Sequence, residues 1–349
     1  MGRKTNKNLP PRMRARQRRE KTWYYYDMGG TPRREVPLGN DYVVALQRWA
    51  ELEGDVHKPV FSFADAASRY MRDVSPSKSE GTQACNKREL ATLLMFFNDP
   101  PAPLDEIEPK HIRQYLRWRV EYTKQRDKES GRVPRGDGSV RANREKALFS
   151  HIWNYARAEG LTNKPNPCAG ISGHKELPRD VYVDDAEFKA VYDQADQVLR
   201  DAMDLALLTG QREADVFKLD ETHIKDGCLW IRQNKTRAKL RVVIEGELAN
   251  VIERIMLRKR SYKVRSLRLL VTEDGQPMTY NMFRSRFDKA REAAGGVKWQ
   301  FRDLRAKAGT DADDRAGTRA AQELLAHSDP QTTQTYIRHR VGKKVKPAR

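Results

Sequence analysis

Six residues in the carboxyl half of the chain are of the right types to move a phosphoryl group. They are Arg212 in "TGQREADVFKL", Lys235 in "QNKT", Arg302 and Arg305 in "FRDLR", His327 in "LLAH", and Tyr336 nine residues later. A phosphate under attack spreads negative charge over its non-bridging oxygens. Guanidinium forks match those oxygens in pairs and keep their charge, so two arginines make a ready clamp. A tyrosine hydroxyl forms a phosphoester that can later be displaced, and a lysine on a turn can protonate the departing hydroxyl. Tyr336 sits among Thr332, Thr333, Gln334 and Thr335, a setting unsuited to a core aromatic. Taken singly, each residue has an ordinary reading. A lone arginine in a basic chain is a surface group, a lone tyrosine is structural, and Asp215 is a helical ion-pair partner of Arg212. Their order and local contexts together point to attack on a phosphodiester.

The elements that must hold these residues can be read from the patterning. Gly210 suits a helix end, with another helix starting at once around Arg212. Helices are expected over 184–196 and 198–209. "GCLWIRQNKTRAKLRVVI" alternates as an antiparallel strand pair with Lys235 near its tip. Further helices follow in "GELANVIERIMLRKR", "TYNMFRSRFDKAREAAG", "FRDLRAKAGTDADDRA" and "TRAAQELLAH", with a short one around Tyr336. Upstream, residues 62 to about 160 read as four or five helices. Ser62 is an N-cap candidate, and Leu90, Leu93, Leu94 and Phe97 fall at helical spacing. "PKHIRQYLRWRVEYT" sets an apolar stripe against Arg113, Arg117 and Arg119; "SVRANREKALFSHIWNYARAEG" puts Leu148, Ile152 and Tyr155 on one side. The outer faces of this unit, with Arg113, Arg117, Arg141 and Arg144, are expected to meet DNA, against the ordinary reading of a solvated face. "TNKPNPCAGISGHKELPRD" then ends it with turn residues.

Charge names the partner class. The 349 residues carry 67 Lys and Arg against 48 Asp and Glu, a formal net charge of +19. Such an excess implies a polyanion. Eleven Lys/Arg lie in residues 1–34 with only Glu20 and Asp27 as acids, which makes Arg12, Arg14, Arg16, Arg18, Arg19 and Tyr25 candidate DNA contacts. Within that stretch "KTWYYYDMGGTPRREVPL" reads as a β-hairpin turning at Gly29-Gly30. A small sheet of two or three strands can enter the major groove; the alternative is a disordered basic arm before a marginal hairpin. No apolar run approaches the ~18 residues of a membrane span, and residues 1–20 lack the apolar stretch of a signal peptide. Cys85, Cys168 and Cys228 are far apart and form no CxxC. That argues for a reducing compartment without disulfides or a zinc site. No carboxylate–histidine cluster has metal-ligand spacing, which disfavours a metal-dependent nuclease.

In sequence these boxes resemble the tyrosine recombinase (phage integrase) family. The similarity is specific over about 178–340, looser over about 60–165 and moderate over 1–55. The family's first arginine box looks like "TGQREADVFKL", its hairpin lysine matches Lys235, its His-x-x-Arg box matches "RDLR", and its "LLGH" box matches "LLAH". The resemblance implies a multidomain protein, mainly α with small β-sheets. Residues 1–55 would be an arm-type DNA-binding domain built on a β-hairpin or three-stranded sheet, 60–170 a helical, SAM-like core-binding domain, and 178–349 an α+β catalytic domain with a basic carboxyl tail. It also implies Tyr336 as nucleophile and Lys235 as general acid. Arg212, Arg305 and His327 would stabilise the pentacoordinate phosphate, with Arg302 assisting and Asp215 supporting. Neither metal nor other cofactor is implied. The partners would be double-stranded DNA at core and arm attachment sites, three further copies in a homotetramer, an excisionase and a host DNA-bending protein, all in a bacterial cytoplasm. One departure stands out, because Arg302 occupies the histidine position of the His-x-x-Arg box. Arginine still donates hydrogen bonds there but cannot shuttle protons near neutral pH. A type IB topoisomerase, or a DNA-binding regulator with an idle catalytic set, are the alternatives.

Overall fold

The computed structural model describes residues 9–18, 21–56, 60–131, 133–134, 136–177, 179–263 and 265–338. Arg19 and the tail beyond Arg338 lie outside them. The chain divides into two compact units, residues 1–177 and 178–349.

The first unit contains two separate hydrophobic cores. The amino-terminal one is built on an antiparallel sheet of β1 (Met13–Arg18), β2 (Lys21–Gly29) and β3 (Arg34–Gly39). The hairpin expected from the Gly29-Gly30 turn is thus β2–β3, and the basic run before it is a third strand. Alternation explains how so polar a strand is held. Met13 faces inward opposite Tyr26 and joins Leu38 and Ala45 in the core. Arg14 pairs with Asp27 at 2.9 Å, and Arg16 with Glu35 at 2.7 Å. Helix α1 (Tyr42–Val56) packs on the sheet, and the Tyr26 hydroxyl donates to Glu53 at 2.6 Å.

The second core is formed by α2 (Phe63–Asp73), α3 (Glu80–Phe97), α4 (Pro109–Glu129) and α5 (Ser139–Ala158). Ser62 caps α2 as expected, in a reciprocal capping box with Asp65. Phe63, Phe97, Tyr115, Phe149 and Trp153 stack through its centre. One expectation fails here. Arg119 is not on the outer face with Arg113 and Arg117 but shares the buried face of α4 with Ile112, Tyr115, Leu116 and Thr123. The helical period decides this, since 112, 115, 116, 119 and 123 recur at three- and four-residue steps. Its charge is met there by Glu145 at 2.8 Å, which also accepts from the Tyr115 hydroxyl at 2.7 Å.

The second unit packs helices around a small sheet of β4 (Ile224–Lys225), β5 (Cys228–Arg232) and β6 (Lys239–Val243). The expected strand pair is β5–β6; β4 is too short to leave a pattern. Around it lie α6 (Asp185–Gln194), α7 (Gln197–Thr209), α8 (Glu213–Val216), α9 (Gly246–Arg260), α10 (Tyr280–Ala293), α11 (Leu304–Ala316), α12 (Thr318–Leu325) and α13 (Pro330–Gln334). Leu199, Met203, Leu205, Ile231, Ile255, Phe283 and Trp299 anchor the core. The short helix expected around Tyr336 ends at Gln334, so Tyr336 follows it on the next turn. Among the described residues, no helix is long and apolar enough to cross a membrane.

Candidate active site

Two helix ends and a strand turn converge in the second unit. Helix α7 stops at Gly210, whose φ of 63° is the left-handed conformation glycine adopts without strain. A side chain there would also crowd Leu324 and Leu325, with a Cβ only 3.1–3.2 Å from them. The glycine therefore lets the end of α12 approach. Helix α12 itself ends at Ala326 in left-handed conformation, which leaves the Leu325 carbonyl free for side-chain donors.

Arg305, on the first turn of α11, is only 3 % exposed. Its Nη1 donates to the Gly210 carbonyl at 2.6 Å, and its Nη2 to the Leu325 carbonyl at 2.8 Å and to His327 Nε2 at 2.9 Å. Its Nε is buried with no partner. Burial and the nearby charge of Arg212 push the guanidinium down to about 10. A buried cation flanked by a second cation, with one donor unfilled, has the properties of an anion site. Because Arg305 donates to Nε2, the ring proton of His327 belongs on Nδ1, which lies 3.1 Å from Thr333 Oγ1. Burial, Arg305 and then Arg212 push His327 down to about 4, so the imidazole is neutral at ordinary pH. Tyr336 is half-buried beside this pair. Its ring centroid lies 5.0 Å from that of His327 and 5.2 Å from the Arg305 guanidinium carbon.

Arg212 stands at the N-cap of α8 and donates from Nη1 to Gln233 Oε1 at 2.8 Å. Asp215 does not form the helical ion pair that its spacing allows. It is 3 % exposed and accepts from the backbone N–H of Asn234 at 2.8 Å, leaving Oδ2 buried without a partner. It thus ties the first arginine box to the β5–β6 turn. Lys235 is exposed on that turn, one residue past Asn234.

Arg302 differs from the others. It is exposed on the single turn Phe301–Asp303 and lines a cavity of 210 Å³ with Glu213, Tyr280 and Arg284. The ordinary reading, an ion pair with Asp303, does not hold, because Arg179 takes that carboxylate at 2.8 and 2.5 Å. Arg212, Asp215, Arg305, His327 and Tyr336 are therefore gathered into one bonded cluster, while Lys235 and Arg302 stand at its open edge. Among the DNA-contact candidates, Arg113, Arg117, Arg141 and Arg144 are exposed, Arg16 lies over the Tyr25 ring at 5.0 Å, and Arg12 donates to the Tyr26 hydroxyl at 3.3 Å. Sequence reasoning missed Gln211, Gln233, Thr333 and Arg179. Gln211 and Gln233 adjoin the arginine and lysine boxes, which is a signal, but nothing in a sequence marks a glutamine as buried.

Residues 182–342 match the phage integrase family. The chain is a tyrosine recombinase of that family. Across 96% of its length it is 24% identical to the integrases of Enterobacteria phage 434 and Escherichia phage lambda, covering 96% of each. The solved structure of a lambda integrase dimer bound to a COC' core site superposes with a TM-score of 0.68 at 19% identity, over 98% of this chain and 99% of that one. That superposition extends the likeness in fold to the three-stranded sheet and the α2–α5 bundle, which the family match does not reach.

Proposed function

We propose that this recombinase breaks and rejoins double-stranded DNA at paired attachment sites through a 3′-phosphotyrosyl intermediate. The observation that carries the reading is the buried Arg305, with an unfilled Nε and a direct bond to His327, facing the Tyr336 ring. Arg212 and Arg305 would hold the non-bridging oxygens of the scissile phosphate, His327 would add a hydrogen bond, and Asp215 would fix the arginine box. The Tyr336 oxygen attacks phosphorus as the bond to the 5′-oxygen breaks, and Lys235 gives that oxygen its proton. Arg302 stays protonated, so its part is electrostatic and it does not take the tyrosyl proton. Rejoining is the reverse attack by the partner's 5′-hydroxyl. The phosphoester is kept throughout, so neither ATP nor metal enters.

By analogy with the lambda integrase tetramer on a Holliday junction, four protomers would hold two duplexes. Residues 1–55 would bind arm sites, 60–170 core sites, and 178–349 would carry the chemistry. An excisionase and a host DNA-bending protein would set direction, in a bacterial cytoplasm. The test is recombination between two DNAs bearing the attachment sites, in EDTA and without ATP. Recombinant joints are expected. Relaxation of one supercoiled duplex without exchange between duplexes would favour the topoisomerase reading.

A further inference from the structure

One buried side chain touches three of the catalytic islands, and none of the chemistry above uses it. Gln233 is fully buried at the end of β5, two residues before Lys235. Its Nε2 donates to Gln211 Oε1 at 2.9 Å and to the Leu325 carbonyl at 3.1 Å. Its Oε1 accepts from Arg212 Nη1 at 2.8 Å and from Thr236 Oγ1 at 2.7 Å. Both amide protons and both lone pairs are thus filled. The Leu325 carbonyl also accepts from Arg305 at 2.8 Å. The main chain of Gln233 closes the lysine turn as well, with its N–H to the Ala238 carbonyl at 2.9 Å and its carbonyl accepting from Arg237 at 3.0 Å. Gln211 is itself pinned, donating to the Thr209 carbonyl at 2.7 Å.

A fully satisfied amide in a buried network has one low-energy orientation, because turning it over would set donor against donor and acceptor against acceptor. Gln233 therefore fixes where Arg212 stands relative to Leu325 and Arg305. Through Thr236 it also fixes the turn that carries Lys235, whose own side chain is exposed. We infer that Gln233 is the positioning residue that holds the lysine turn in register with the arginine clamp, so that proton delivery and charge stabilisation act on one phosphate. This rests on the roles proposed above for Lys235, Arg212 and Tyr336.

The leaving group separates this from a purely structural role. A 5′-bridging sulfur leaves as a thiolate, whose conjugate acid has a pKa of about 8.5, so it needs little help from a general acid. A misplaced Lys235 should then matter for an oxygen leaving group and much less for a sulfur one. The experiment is single-turnover cleavage at saturating full-length protein, on matched nicked duplexes with oxygen or sulfur at the 5′-bridging position. Gln233→Ala should slow the oxygen substrate by roughly a hundredfold. On the sulfur substrate its deficit should be several-fold smaller, as for Lys235→Ala. A wild-type rate on the oxygen substrate, or an equal loss on both, overturns the inference. If Gln233→Ala fails to fold, Thr236→Val on the exposed turn decides, with the same expected pattern at smaller size and the same contrary results. Tyr336→Phe separates the two readings: if it still forms adduct on either substrate, the nucleophile assignment fails, and Gln233 is not what has been tested.

Discussion

At the scale of single residues, the arginine at position 302 is the chain's departure from its family, and its consequence is measurable. A guanidinium there can donate to a non-bridging oxygen but cannot accept a proton. Arg302→Ala should slow single-turnover cleavage by roughly ten- to a thousandfold, Arg302→Lys should recover part, and Arg302→His should stay active. A wild-type rate for the Ala variant would place Arg302 outside the reaction. His327 gives a pH signature. Its folded pKa of about 4 lies below the ordinary 6.5, so as pH falls through that window the unfolded chain takes up a proton that the folded one refuses. The stability share of His327 is whole above 6.5 and is lost on the way down to about 4. Urea unfolding at about pH 7 and about pH 5 should show His327→Gln losing less stability on acidification than the wild type; equal losses would contradict the buried neutral ring. Types and spacing made the reacting residues legible. The partners that aim them were not, because the burial of Gln233 and the turn of Arg119 into the core depend on packing across elements.

At the scale of elements, the site depends on how closely α12 packs on α11. Gly309 lies in mid-helix on α11, where alanine would ordinarily add up to ~1 kcal/mol. A Cβ there would stand 2.9 Å from Leu325 Cδ1, and Leu325 is fully buried. That contact explains the glycine. The same Leu325 offers its carbonyl to Arg305 and Gln233, so pushing it outward moves the clamp. Gly309→Val should cost about 1–3 kcal/mol of stability by overpacking and lower the cleavage rate at temperatures where the protein remains folded. Denaturant melts with single-turnover rates check both, and an unchanged rate would uncouple α12 from the chemistry. Helix existence was mostly readable from periodicity and caps, as Ser62 and Gly210 illustrate. Strand β1 was not, because "MRARQR" shows only Met13 and Ala15 as apolar residues. What makes it a strand is the partner edge of β2, which local sequence does not display.

At the scale of the whole molecule, charge and chemistry are kept apart along the chain. Residues 1–34 hold much of the positive charge, whereas the bonded cluster lies entirely beyond residue 178. Removing about 1–55 should therefore abolish binding to a distal class of sites and flatten the salt dependence of the rest, while cleavage of core sites survives. Footprints unchanged by the truncation would contradict a separate arm-binding function. Composition and the family boxes made this layout legible, including the turn-rich stretch before residue 178, because a +19 chain with one dense basic end carries its partner class openly. The central claim remains that Tyr336 is the nucleophile, and one measurement addresses it directly. A duplex nicked beside the cleavage position loses its short 5′-hydroxyl fragment and cannot be resealed, so any phosphotyrosyl link accumulates. Digestion and mass spectrometry of the trapped protein should find DNA on Tyr336, and Tyr336→Phe should bind the duplex normally and trap nothing. An adduct on another residue, or an undiminished adduct with the Phe variant, would contradict the account.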